Sequence, residues 1–210
     1  MAKLHIEGAK HRPEAIKYYL DFIDRREYDS VESVMNDVYR ETGLDVVDTK
    51  NMQTTLAKLG LVDNTDRQQL TDEGRGLVEI LLYNEQLFYE FLHFTYATAY
   101  HREPSSERAV SWSYYHICDE FYRRAPIAFT QDTKQEIAES VEATAERGSG
   151  DTPSNPGPLS TTSLNNYARF IKSLDPEVYD ESSDEVTLRL FAPNELVLAT
   201  IDHLYRTEID

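Results

Sequence analysis

The sequence predicts a mostly α-helical protein with a winged helix-turn-helix at the N-terminus, a helical middle and a second winged-helix-like unit at the C-terminus. Apolar residues recur at helical spacing along most of the chain. A turn-bounded hairpin lies between a polar helix and a capped helix, and a looser instance of that order returns after Ser160. We place the three parts at residues 12–83, 84–147 and 159–208.

The first two helices follow from their boundary residues. Pro13 suits the first turn of a helix, and apolar residues continue at helical spacing to about Arg26. Asp29 or Ser30 can cap the second helix. Gly43 is suited to the left-handed position that ends it.

The third helix and the hairpin give the N-terminal unit its expected shape. The helix starts near Thr49 and ends at Gly60, and Leu61–Val62 and Gln69–Leu70 form two short strands around a polar turn. Thr71 then caps a fourth helix.

The middle is predicted to be helical and largely buried. Residues 77–100 are apolar on more than one face, with a possible break near Asn84. A helix over 107–124 follows. Thr130 or Asp132 then caps a polar helix that reaches Arg147.

The C-terminal unit follows a loop-like stretch over residues 148–158. The serines and threonines from Ser160 to Ser163 can cap a helix that extends to about Leu174. Residues 186–191 alternate like a strand, and Pro193 can start a last helix. The alternative is a helical domain that ends in an unrelated hairpin.

The chain is strongly acidic, with 38 Asp and Glu against 21 Lys and Arg and a net charge of −17. Such a charge normally repels nucleic acid, but this composition is also typical of salt-accumulating halophiles. At molar salt the Debye length is about 3 Å, so net charge loses most of its reach. The chain has one cysteine, and it shows neither an apolar run of membrane-spanning length nor a signal-peptide pattern. We therefore expect a cytoplasmic protein without a membrane partner.

The outer side of the third helix and the hairpin predict contact with double-stranded DNA. Asn and Gln can bind adenine edges, and Lys can contact phosphate or guanine. The candidate DNA-contacting residues here are Lys50, Asn51, Gln53, Thr54 and Lys58 on the helix and Arg67 and Gln68 on the wing. The competing interpretation is an ordinary solvated helix face.

The C-terminal helix offers a similar set in Asn165, Arg169 and Lys172. Four acids lie between residues 180 and 185, where the wing is expected, and they oppose phosphate binding. A protein partner is therefore the competing use of this unit.

Patterns that carry chemistry are weak. Glu90 and His93 have the spacing of half a di-iron site, but no second copy is present. Cys118 lacks the local signature of a nucleophile. We therefore predict no catalytic residue, no metal, no cofactor and no enzymatic activity.

Five short motifs carry a resemblance to a known family. They are TKNMQTTLAKLGLV, LTDEGRGL, VSWSYYHICDEF, FTQDTKQEI and STTSLNNYARFIKSL. Together they resemble an uncharacterised winged-helix family encoded beside DNA phosphorothioation and phage-defence genes. The layout is also similar to that of the A proteins of BREX phage exclusion. The resemblance implies a DNA-associated accessory role and no catalytic residues.

The leading hypothesis is a non-enzymatic DNA-binding accessory protein of an antiviral-defence or DNA-modification system. It would bind double-stranded DNA together with a protein partner of a defence complex or as a homodimer. A winged-helix transcriptional regulator and an assembly scaffold without DNA contact are the alternatives.

Overall fold

A computed structural model describes residues 12–44, 49–63, 68–147, 152–153, 157–174, 179–182 and 185–188. For residues 49–51 and for the strands after residue 178, only the backbone is described. The protein is mostly α-helical, as predicted. None of the described helices is long and apolar enough to cross a membrane.

Four helices occupy the first part of the chain. They are α1 (Pro13–Arg25), α2 (Val31–Thr42), α3 (Thr49–Lys58) and α4 (Asp72–Tyr83). Ser30, rather than Asp29, caps α2 by accepting a hydrogen bond from the Ser33 amide. Gly43 and Gly60 have the positive φ expected where α2 and α3 end.

A minimal hairpin connects α3 to α4. Val62 and Leu70 form one antiparallel bridge, and the Asp63 amide donates to the Gln69 carbonyl. The Gln68 amide also donates to the carbonyl of Tyr28, which lies between α1 and α2. The returning side of the hairpin is therefore flanked by the outgoing side and by the segment that precedes α2.

The remaining helices are α5 (Glu85–Arg102), α6 (Ala109–Arg124), α7 (Gln131–Glu146) and α8 (Thr161–Lys172). Asn84 is the predicted break, since it ends α4 and its side chain accepts from the Leu87 amide at the start of α5. A short 3-10 turn over Ser106–Arg108 precedes α6, which therefore starts later than predicted.

Three short strands form one antiparallel sheet in the order β1–β3–β2. They are β1 (Ile127–Ala128), β2 (Tyr179–Ser182) and β3 (Glu185–Leu188). Ile127 pairs with Val186, and Glu181 pairs with Val186 from the other side. Of these strands, only the last was predicted. The expected helix after Pro193 lies outside the described residues.

One continuous apolar core joins these elements. Aromatic side chains from α5, α6 and α8 fill its centre, including the fully buried Tyr96, Trp112, Tyr114 and Tyr167. The predicted boundaries of the three parts stay a prediction, although β1 from the expected middle pairs with β3 from the expected C-terminal unit.

Candidate nucleic-acid interface

Helix α3 presents a polar side opposite a buried apolar side. Met52, Leu56 and Leu59 are almost completely buried. Gln53 and Lys58 are half-buried at the surface, and Thr54 is exposed. The predicted contact residues on this helix therefore include a hydroxyl, an amide and a cation, the groups that can bind base edges and phosphates.

Three other predicted residues near α3 cannot be placed in the same detail. Lys50 and Asn51 lie in the first turn of α3, and their side chains are outside the described part. Arg67 lies outside the described residues.

Gln68 is a correction to the predicted wing surface. Its residue is only 4% exposed, and its side-chain oxygen accepts a hydrogen bond from the buried Tyr19 hydroxyl. The amide therefore satisfies a polar group of the core and is not available to a ligand. A polar residue in a hairpin is expected to be solvent-exposed, but Gln68 is buried and its backbone N–H also donates to the Tyr28 carbonyl.

Helix α8 has the same two-sided organisation as α3. Leu164, Tyr167, Phe170 and Ile171 are buried. Ser160 caps the helix by accepting from the Ser163 amide at 3.2 Å. On the other side, Asn165 is half-buried and Arg169 and Lys172 are exposed.

Acidic residues are distributed unevenly among the helices. Of the eight α-helices in the described residues, α3 and α8 alone contain no Asp or Glu, and each contains two Lys or Arg. The other six all contain at least two acids. In a chain with 38 acids among 210 residues, these two helices form local exceptions to a negative surface.

The ion pairs differ from helix to helix. Several arginines are neutralised within their own or a neighbouring helix, as Arg123 is by Asp119 and Arg124 by Glu120 and Glu136, whereas Arg102 and Arg147 form no ion pair with a described residue. Neither Lys58 nor Arg169 forms an ion pair with any described residue. Both cations therefore keep their charge available to an external anion.

Acids nevertheless border α8. The exposed side of α7 contains Asp132, Glu136 and Glu139, and the hairpin after α8 has Asp180, Glu181 and Glu185 in its strands. At low salt, the exposed carboxylates of α7 oppose the approach of a phosphate to α8, and salt screening reduces this repulsion.

Of the Glu90–His93 pair, which has the spacing of half a di-iron site, only His93 lies in the core. His93 is buried, and its Nδ1 lies 2.6 Å from the Tyr114 hydroxyl. Burial lowers the pKa of His93 to about 4 and raises the pKa of Glu90. Within the described residues, no group of three or more His, Cys, Asp and Glu could hold a metal ion.

Cys118 is poorly suited to nucleophilic chemistry. Burial raises the pKa of its thiol, which favours the protonated and less reactive form.

No protein-family model matches the chain, and no curated protein or solved structure matches it at a significant level. The family and functional expectations therefore stay predictions.

Sequence reasoning missed two features of this interface. The first is the absence of acids from α3 and α8, which counting Asp and Glu within each predicted helix could have found. The second is the pairing of residues before α2 and α7 with the returning hairpin strands. That pairing joins residues 40 or more positions apart, and no local pattern indicates it.

Proposed function

We propose that this chain is a non-enzymatic protein that binds double-stranded DNA through the outer sides of α3 and α8. The observation that carries the proposal is the absence of acids from these two helices in an otherwise acidic protein. A helix with short polar side chains and cations on its outer side can enter the major groove, whereas carboxylates on its surface would repel the phosphates.

The topology supports assigning α3 and α8 to equivalent positions. In the first unit, the order along the chain is α1, the segment 27–29, α2, α3 and a hairpin. In the second unit, the order is α6, β1, α7, α8 and a hairpin. In each, the returning strand of the hairpin bonds both to the outgoing strand and to the segment before the second helix. We interpret both as winged helices, so the second unit would begin at α6 and not at residue 159.

The proposed contacts follow from side-chain chemistry. Gln53 and Asn165 would bind base edges, while Lys58, Arg169 and Lys172 would contact phosphates or guanine. Lys50, Asn51 and Arg67 belong to the same set by their sequence positions.

The proposed biological setting is an accessory role in antiviral defence or DNA modification, supported by the motif resemblance. A scaffold that binds proteins is the second candidate, favoured by the acidic hairpin beside α8 and by exposed apolar side chains at the end of α4. There, Leu82 is 68% exposed and Tyr83 is 87% exposed.

A mobility-shift series tests the proposal. Wild type and Lys50→Glu plus Lys58→Glu are compared on random-sequence duplex DNA from about 0.1 to about 2 M KCl, a range that covers weak to strong screening. We expect wild type to shift the duplex and the variant to bind at least about ten-fold more weakly, from loss of two cationic contacts. Arg25→Glu plus Arg123→Glu is the charge-matched control on α1 and α6, and we expect it to bind like wild type.

Two outcomes would contradict the proposal. One is the absence of a shift by folded wild type at every salt concentration, with unmodified and phosphorothioate duplexes alike. The other is an equal loss of affinity in the charge-matched control, which would indicate a general charge effect and not a specific surface.

A further inference from the structure

We infer that a single copy of the chain binds one duplex through α3 and α8 together, at two contact sites whose separation is fixed by the packed core between the helices. The inference rests on the proposed DNA binding and adds the form of the ligand. That ligand is a duplex long enough to reach both helices, bound by one chain and not by a dimer.

The end of α3 is attached to α4 by close backbone contacts. The Leu61 amide donates to the Leu56 carbonyl at the end of α3. The Thr71 side chain, which caps α4, donates to the Gly60 carbonyl at 2.6 Å. A Cβ atom on Gly74 in α4 would lie 2.0 Å from the Leu61 carbonyl oxygen. The backbones of α4 and of the segment that follows α3 are therefore in direct contact at Gly74.

The same end of α3 also reaches the start of α6. A Cβ atom on Gly60 would lie 3.6 Å from Nη2 of Arg108, the residue directly before α6. Arg108 in turn donates to the Ala99 carbonyl and pairs with Glu103 at 2.6 Å. One side chain therefore connects α3 with the end of α5 and the beginning of α6.

Helix α8 is attached to this core from the other direction. The rings of Tyr96 in α5 and Phe170 in α8 lie 4.5 Å apart between centroids. The hydroxyls of Ser113 in α6 and Tyr167 in α8 are 2.6 Å apart. Tyr96, Ser113 and Tyr167 are fully buried. Well-packed interiors of this kind transmit displacement and do not absorb it.

No long linker separates the two attachments. A single residue, Asn84, connects α4 to α5, and Lys17 of α1 pairs with Glu85 at the start of α5 at 2.7 Å. Units joined by a flexible linker adapt to many spacings, whereas rigidly joined units engage two sites at one spacing only. The core therefore determines the length of duplex that both helices can share.

Affinity against duplex length provides the test. Full-length wild type is titrated with random-sequence duplexes from about 8 to about 30 base pairs, because neighbouring half-sites lie about ten base pairs apart. If both helices bind one duplex, the affinity should rise at least about ten-fold at one threshold length of DNA, because the second contact then becomes intramolecular. At that length, native mass spectrometry is expected to find one chain per duplex.

Matched variants distinguish this inference from simple DNA binding. Lys58→Glu on α3 and Arg169→Glu on α8 should each remove the threshold while weak binding to short duplexes remains. Arg123→Glu on α6 should preserve the threshold. Melting temperatures verify that each variant is folded.

The outcomes separate the two proposals. The inference is overturned if affinity rises only in proportion to the number of binding positions that a longer duplex offers. It is also overturned if two chains bind at the threshold length. In both cases the proposed DNA binding stands. If folded wild type binds no duplex of any length, the proposed function fails and the inference fails with it.

Discussion

At the scale of single residues, close approach explains why Gly74 lies in the first turn of α4. Its Cα faces the Leu61 carbonyl, and a Cβ atom there would be 2.0 Å from that oxygen. Gly76, two residues later in the same helix, has nothing within 4 Å of the equivalent position. The sequence presents the two glycines alike, and only the backbone packing distinguishes them.

Gly74→Ala and Gly76→Ala should therefore have opposite effects on stability. We expect Gly74→Ala to lower the free energy of unfolding by about 1–3 kcal/mol, because α4 must move away from the hairpin. Gly76→Ala should raise it by about 0.5–1 kcal/mol through higher helix propensity. Chemical denaturation of both variants measures the difference, and equal stabilities would contradict the close contact.

His93 shows how burial selects a protonation state. The unfolded side chain titrates near 6.5, while burial lowers its folded pKa to about 4. The folded protein therefore holds the neutral ring, and the unfolded chain binds more protons between these values. The neutral ring therefore contributes roughly 3 kcal/mol to the free energy of unfolding. This contribution is complete above pH 6.5 and is lost as the pH falls through about 4.

NMR chemical shifts of the ring nitrogens, followed against pH, measure the protonation of His93 directly. The His93→Gln variant identifies the signals that belong to this ring. We expect the ring to remain neutral at pH 5.5. Titration with a midpoint near 6.5 would show that the ring is accessible to water and would contradict its place in the core.

At the scale of elements, the helices, the first hairpin and β3 were predictable, whereas β1 and β2 were not. Ser30, Thr71, Thr130 and Ser160 cap their helices, and each was among the candidate caps that the sequence offered, because capping depends on neighbouring residues. Strand β1 has only two residues and is held by β3, more than 50 positions later. Such pairing leaves no local pattern, so β1 was missed.

The cap of α8 makes a prediction about the candidate interface. Ser160→Ala removes the acceptor for the Ser163 amide, and we expect a loss of about 1 kcal/mol in the free energy of unfolding. Ser160→Asp should restore most of it. Thr162→Ala, an exposed change inside the same helix, is the control and should be neutral or slightly stabilising. Equal effects of Ser160→Ala and Thr162→Ala in thermal or chemical unfolding would indicate that the cap does not hold the helix.

At the scale of the whole molecule, the distribution of charge matters more than its total. A net charge of −17 argues against nucleic-acid binding when it is considered alone. Helices α3 and α8 lack acids, and Lys58 and Arg169 on them form no ion pair with a described residue. The sequence supplied most of the candidate residues, but it could not show that Gln68 is buried or that both helices are attached to one core.

Site-specific photocrosslinking to duplex DNA tests the central claim most directly. In a Cys118→Ser background, a photoreactive group is attached at Thr54→Cys on α3, Thr162→Cys on α8 or Glu139→Cys on α7, all exposed positions. We predict that the probes on α3 and α8 crosslink to DNA and that the probe on α7 does not. Crosslinking from α7 alone, or equal crosslinking from all three positions, would contradict the claim that α3 and α8 are the DNA-binding surfaces.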